Sequence, residues 1–184
     1  MMAAARIDEI TDLAEKYIRE GGFKGFSFRE IAKEIGIKSS SVHYHFPTKT
    51  DLAVNVARRY TARFLEKLGD PNDSAYSPKE HLQKFIALFQ DSLTQDKKMC
   101  LCGVLAAESV DLPEEVRREA KLFFTKNIDW LSVVYSRLDS NASEETNHTK
   151  AMRLLALLEG AMLIGLATGD DQAMSCVTGD LVLC

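Results

Sequence analysis

Little in this sequence breaks a helix. Four prolines and ten glycines are spread through 184 residues, and no stretch alternates apolar and polar positions as a half-buried strand does. Apolar residues instead recur at spacings of three and four almost throughout, so the expected fold class is all-α. Cysteine is scarce too. Four cysteines do not make a disulfide framework in a chain of this size, and without a pair of Cys-x-x-Cys motifs they give no zinc site. No cofactor or metal is expected. Long apolar runs are missing: the longest, Ala161 to Ala167, contains Gly165 and falls far short of the ~20 residues of a membrane span. The opening Met-Met-Ala-Ala-Ala gives way to Arg6, Asp8 and Glu9 rather than to a signal-like apolar segment, so the expected location is the cytoplasm. Phosphate-binding glycine loops are absent, and no motif ties Cys100 to a base such as His81 or His148, so no enzyme activity is expected.

What is present suits a folded domain with a substantial core: 46% of residues are hydrophobic and 27% charged. The net charge of −4 speaks against nucleic acid, but the charge is unevenly spread. The first 60 residues hold ten Lys/Arg and eight Asp/Glu, against 13 and 19 in the remainder. Within 21–50, Lys24, Arg29, Lys33, Lys38 and Lys49 face only Glu30 and Glu34. A local basic patch on an acidic body fits a protein that touches phosphates at one end.

Ile7, Ile10, Leu13, Tyr17 and Ile18 stripe a first helix that stops at Gly21-Gly22. Ser27 to Glu30 is a capping box that opens a short second helix, ended by Gly36. A third short helix over 39–45 closes before Pro47, and Thr48 to Asp51 starts a long fourth one. A polar link over 69–76 leads to Ser77-Pro78-Lys79-Glu80, a cap with proline at the first helical position. Further helices are expected over about 99–109, from Pro113 to about Leu138, and from about Ser143 to about Thr168, with a short one in the last residues.

The third helix is the informative one. It presents Lys38, Ser39, Ser40, Ser41, His43, Tyr44 and His45 as a nearly unbroken polar surface, and only Val42 and Phe46 can face a core. So short and polar a helix suits a DNA major groove, where small hydroxyls approach base edges and longer groups reach phosphates. Gly36-Ile37-Lys38 supplies the tight turn before it.

The run FSFREIAKEIGIKSSSVHYHFPTKTDL resembles the DNA-binding domain of the TetR family of repressors, strongly over residues 5–52. The resemblance implies an N-terminal three-helix DNA-binding domain with a helix-turn-helix, residues 1–48, and a C-terminal helical domain for ligand binding and dimerisation, residues 49–184. It implies DNA contacts from Arg29, Lys38, Ser39, Ser40, Ser41, His43, Tyr44, His45 and Lys49, with Lys49 pairing with a phosphate and His43 standing where the family commonly has Tyr. The implied function is a ligand-responsive regulator, most simply a repressor, that binds a palindromic double-stranded operator as a homodimer and is released by a small effector.

The last two long helices carry apolar residues on more than one side, as helices buried on several faces do. In the family such helices pair with their copies, which places Trp130, Val134, Leu154, Leu158, Gly160, Ala161 and Gly165 at the expected dimer interface. An effector pocket in the family lies between helices of this domain. Its expected walls here are Phe85, Phe89, Cys100, Leu105, Phe124, Ile128 and Met152. The segment from Cys100 to Leu112 is similar to that of electrophile-sensing TetR repressors, with Lys97 and Lys98 just upstream to lower a thiol pKa. Two alternatives stay open: a redox or electrophile sensor acting through Cys100, and a TetR-fold protein that works mainly through protein partners.

Overall fold

The computed structural model describes residues 2–179, and every long regular element among them is an α-helix. In chain order these are α1 (Met2–Gly21), α2 (Phe28–Glu34), α3 (Ser39–His45), α4 (Lys49–Leu68), α5 (Pro78–Thr94), α6 (Leu101–Ala107), α7 (Glu114–Leu138), α8 (Glu144–Thr168) and α9 (Ala173–Thr178). A single 3-10 turn, Phe23–Gly25, follows α1.

The chain forms two compact units. The first takes residues 1–62 and 101–122; the second takes 63–100 and 123–184. This division differs from the expected boundary after residue 48. The fourth helix begins at that boundary and runs unbroken through the observed division between residues 62 and 63, and α6 with the start of α7 joins the first unit.

In the first unit Ile10, Ala14 and Ile18 of α1 are buried with Phe26, Phe28, Ile31, Val42, Phe46, Leu52 and Val56. Ser27 caps α2 as the sequence suggests, its hydroxyl accepting the Glu30 N–H at 3.2 Å. Gly36 adopts φ 70°, the left-handed geometry that the turn needs and that a side chain resists. The Ile37 N–H then reaches the Ala32 carbonyl at 2.9 Å, which closes α2 and sets the start of α3. The Tyr17 hydroxyl donates to Glu34, joining α1 to α2. Arg59 of α4 gathers Asp8, Asp12 and Glu15 of α1.

In the second unit, Ser77 and Glu80 complete a reciprocal capping box with Pro78 in the first turn of α5. Ser143 caps α8, which ends at left-handed Gly169. An aromatic cluster forms the core: the Phe64 ring lies 5.8, 5.7 and 5.3 Å from those of Phe85, Phe89 and Phe123, and Phe85 stacks on Trp130 at 5.7 Å. The Trp130 indole donates to the Gly69 carbonyl at 2.8 Å, so its polar edge is satisfied despite burial. The Arg137 guanidinium donates to the carbonyls of Pro71, Asp73 and Tyr76, which gives the polar link its shape.

Helix α8 is long and apolar enough to cross a membrane by length and composition. Its apolar residues divide between two sides. Leu154, Leu155, Leu158, Ala161 and Met162 are buried within the unit, while Met152, Leu163 and Ile164 are exposed. At Gly165 a Cβ would lie 2.9 Å from the Asp170 carbonyl oxygen and 3.0 Å from Leu93, so α8 approaches α5 and the turn before α9 closely there. This division bears on the residues expected at the dimer face. Trp130, Val134, Leu154, Leu158, Ala161 and Gly165 point into the unit's own core, because a helix that is apolar all round gives no periodic sign of which face turns inward. Of the seven, Gly160 faces open space.

Candidate functional site

The surface of α3 follows from two anchors. Val42 and Phe46, four residues apart, are buried, and the rest of the helix is thereby turned outward. Ser40, His43 and Tyr44 are exposed, and Ser39, Ser41 and His45 are partly so. Tyr44 is 84% exposed, far more than an aromatic ring on a closed surface, and it packs edge-on against His45 at 5.2 Å. Lys38 stands exposed at the start of α3 and Arg29 in the first turn of α2. Those residues occupy one unit, around one short helix, with three hydroxyls at its N-terminal end and basic groups beside it.

Two of the expected DNA contacts have structural partners as well. His43 packs on Phe28 at 4.7 Å, and its Nδ1 lies 3.4 Å from the Pro47 carbonyl, so one ring joins α2, α3 and the following turn. The Lys49 ammonium lies over the rings of Phe26 and Phe23, 4.4 and 4.9 Å from their centroids. Partial burial there pushes its pKa down. A cation held over two aromatic faces supports the fold in addition to any phosphate it meets.

Sequence reasoning missed a tie from α6 to the DNA-binding elements. The Glu108 carboxylate accepts the Phe23 backbone N–H at 2.8 Å, and Lys24 pairs with Asp111 at 2.9 Å. Both link the turn after α1 to the end of α6, within the first unit. The left-handed Gly22 next to Phe23 was a readable sign of a close approach.

Among the expected effector-pocket walls, Phe85, Phe89 and Cys100 are buried in the second unit, and Phe124 and Ile128 are partly buried there. Leu105 falls in the first unit. Met152 is 50% exposed on the outer side of α8. An open cavity of about 300 Å³ in the second unit is lined by Leu82, Tyr135, Leu138, Lys150, Arg153, Leu154 and Leu157, none of them an expected wall.

Cys100 is 2% exposed. Lys97, expected to lend it positive potential, pairs with Asp171 instead. The Glu159 carboxyl lies beside the thiol. Glu159 was not among the expected site residues, although it is the one charge between Leu154 and Ala167. Burial pushes its pKa up to about 7, and the Cys100 thiol offsets part of that shift.

Comparison with known proteins agrees with this geometry. Residues 10–56 match the family of bacterial regulatory proteins of the tetR type, and residues 78–179 match the C-terminal domain of LmrA/YxaF-like transcriptional regulators. The HTH-type transcriptional regulator LmrA of Bacillus subtilis is 29% identical over 171 residues, covering 91% of this chain and 89% of that protein. The HTH-type transcriptional repressor KstR2 of Mycolicibacterium smegmatis is 30% identical over 112 residues, 60% of this chain and 55% of that protein. The crystal structure of a TetR transcriptional regulator from Legionella pneumophila superposes with a TM-score of 0.84 at 37% identity, covering 92% of this chain and 91% of that one.

Proposed function

The chain belongs to the TetR family of transcriptional regulators, and from that premise we propose that it is a repressor that grips a palindromic operator as a homodimer and releases it when a small effector enters the second unit. The observation that carries this reading is the outward face of α3. Buried Val42 and Phe46 hold the helix in place, and the serines, His43, Tyr44 and the flanking Arg29 and Lys38 are left for a major groove.

A palindrome read by two such helices needs two copies with their recognition helices roughly 34–36 Å apart. The exposed apolar stripe of α8 supports the pairing. Met152, Ala156, Gly160, Leu163, Ile164 and Ala167 recur at three- and four-residue spacing along its outer side. Isologous packing of that stripe on its copy gives a two-fold dimer.

Effector release is assigned to the second unit, on the strength of its aromatic core and buried acid. The reading does not run through Cys100 as a reactive thiol. Reactivity requires exposure, and Cys100 is 2% exposed.

The test is selection of genomic DNA fragments by the purified protein, followed by footprinting and sedimentation of the complex. The expected result is a palindromic site protected by one dimer. A protected site without two-fold symmetry, or binding by a monomer, would overturn the dimeric reading; no sequence preference at all would overturn the function.

A further inference from the structure

Three side chains in the second unit, Glu159, Asn127 and Asn147, carry buried oxygens that lack a hydrogen-bond donor, and the first two lie deep in it. Both carboxylate oxygens of Glu159 are closed off from solvent and receive no hydrogen bond of normal geometry, and the same is true of Asn127 Oδ1. The Cys100 thiol beside Glu159 is a weak donor that offsets part of the effect of burial, and it leaves the carboxylate short of the donors it can accept. Asn127 is fully buried, and its Nδ2 donates to the Phe123 carbonyl at 2.8 Å. That bond fixes which end of the amide is nitrogen, so the unpaired atom is the acceptor. Nearly all buried acceptors in folded proteins are paired, because an apolar interior does not replace the lost water.

The two groups lie at similar heights beside the aromatic cluster. Leu155 and Met162, four before and three after Glu159 on α8, are buried, so Glu159 is on the inward side. Helices α5 and α8 run parallel: Leu82 shares a cavity with Leu154 and Leu157, and Leu93 meets α8 at Gly165. The intervening rise sets Glu159 level with about residues 86–88, between Phe85 and Phe89. Helices α7 and α8 are joined by the short connection 139–143. Asn127 lies 11 residues before the end of α7 and Glu159 lies 15 after the start of α8, so across that hairpin their heights differ by about 6 Å, one helical turn.

We propose that Glu159 is the recognition acid for an organic ammonium: an apolar amine whose charged nitrogen donates to Glu159 and Asn127 while its hydrocarbon body lies against Phe85, Phe89 and Phe123. This rests on the reading of the second unit as the effector-binding part. The chemistry selects the class. Two unpaired acceptors require donors, and an alcohol brings one whereas a primary ammonium brings three. An anion would meet the acid. Aromatic faces attract cations, and an ammonium beside Glu159 holds it ionised. His81, also buried in this unit, faces Tyr76 and Trp130 rather than Glu159; burial and the Cys100 thiol are what set the acid's charge.

The experiment is calorimetric binding of three probes of one shape, phenethylamine, 2-phenylethanol and 3-phenylpropionate, to the full-length protein at pH 8 and pH 6, with operator release followed in parallel. The amine should bind at least tenfold tighter than either other probe at pH 8. It should weaken severalfold to tenfold at pH 6, where Glu159 holds its proton. Glu159→Gln should remove both the preference for the amine and its pH dependence while leaving 2-phenylethanol unchanged. If that variant does not fold, the pH dependence in wild type decides, since the phenethylamine ammonium does not titrate between these values. Equal binding of the three probes, no amine binding at millimolar concentration, or a pH dependence that survives Glu159→Gln overturns the proposal. If the alcohol or the acid binds better and releases operator, the effector reading stands and the ammonium inference fails. Amine binding that depends on Glu159 but leaves the operator bound keeps the site and removes its role as effector.

Discussion

The Glu108 carboxylate accepts the Phe23 backbone N–H at 2.8 Å through the space that Gly22 leaves empty. A Cβ on Gly22 would sit 1.8 Å from Glu108 Oε1, and Gly22 itself holds φ 72°. Three features thus meet at one point: a glycine that turns left-handed, a part-buried Phe23 N–H at the start of the 3-10 turn that needs an acceptor, and an acid at the end of α6 that supplies it.

Gly22→Ala should therefore do more than strain the turn. The left-handed conformation costs about 1 kcal/mol with a side chain. Displacing Glu108 also forfeits a charge-assisted hydrogen bond of about 1.5–3 kcal/mol. Urea unfolding should show a loss of about 2–4 kcal/mol. Glu108→Ala should show the hydrogen-bond part alone. Lys24→Ala should show little, because the Lys24–Asp111 pair is well exposed. Equal stability of Gly22→Ala and wild type would mean that the turn relaxes and that the Glu108 contact is not a constraint.

The basic residues around α3 should separate into two kinds. Arg29 and Lys38 are exposed, so Arg29→Ala and Lys38→Ala should each flatten the dependence of log affinity on log salt by about one unit, with no change in unfolding midpoint. Lys49→Ala removes an ammonium from over Phe26 and Phe23 and should also cost about 1 kcal/mol of stability. Salt titrations of operator binding beside urea curves would decide it. A Lys38→Ala protein with the wild-type slope would take Lys38 out of the interface.

The helix-turn-helix was legible because each of its signals has a local cause. Ser27 caps α2 through a hydroxyl three residues from a glutamate, Gly36 takes the positive φ, and Val42 in α3 with Phe46 just after it are the apolar anchors. The second unit was less legible for the opposite reason. Between Leu154 and Ala167 nearly every residue of α8 is apolar, so periodicity cannot say that Leu158 turns inward while Leu163 and Ile164 turn outward. The same stretch holds one readable exception, Glu159. A lone acid in such a run signals a special environment, but its unpaired oxygens are visible only once α5, α7 and α8 are packed.

Substitutions on the two sides of α8 should therefore fail differently. Leu163 and Ile164 are 62% and 59% exposed, and Leu163→Asp should keep helicity and the unfolding midpoint of the monomer while dissociating the dimer at micromolar concentration. Leu158 is fully buried, and Leu158→Asp should unfold the second unit, because an unpaired charge in an apolar core is costly. Sedimentation with circular dichroism separates the outcomes. A Leu163→Asp protein that remains dimeric would place the interface elsewhere.

Glu159 should also write a pH dependence into stability. Its folded pKa, about 7, lies above the ordinary carboxylate value of 4.5 because burial disfavours the charged form. Between those two values the native state keeps a proton that the unfolded chain has released. Stability therefore falls as pH rises through this window, and the full penalty is present above pH 7. The shift corresponds to about 3 kcal/mol at most, taking 1.36 kcal/mol per pKa unit. Glu159→Gln cannot ionise and escapes that penalty. Relative to wild type it should gain about 2–3 kcal/mol between pH 4.5 and pH 8, whatever its stability at the lower pH. A bound ammonium should erase the difference by pairing with the ionised acid in wild type alone. Urea unfolding of both proteins at intervals across that range is the measurement, and parallel pH profiles would mean that Glu159 titrates normally in the folded protein.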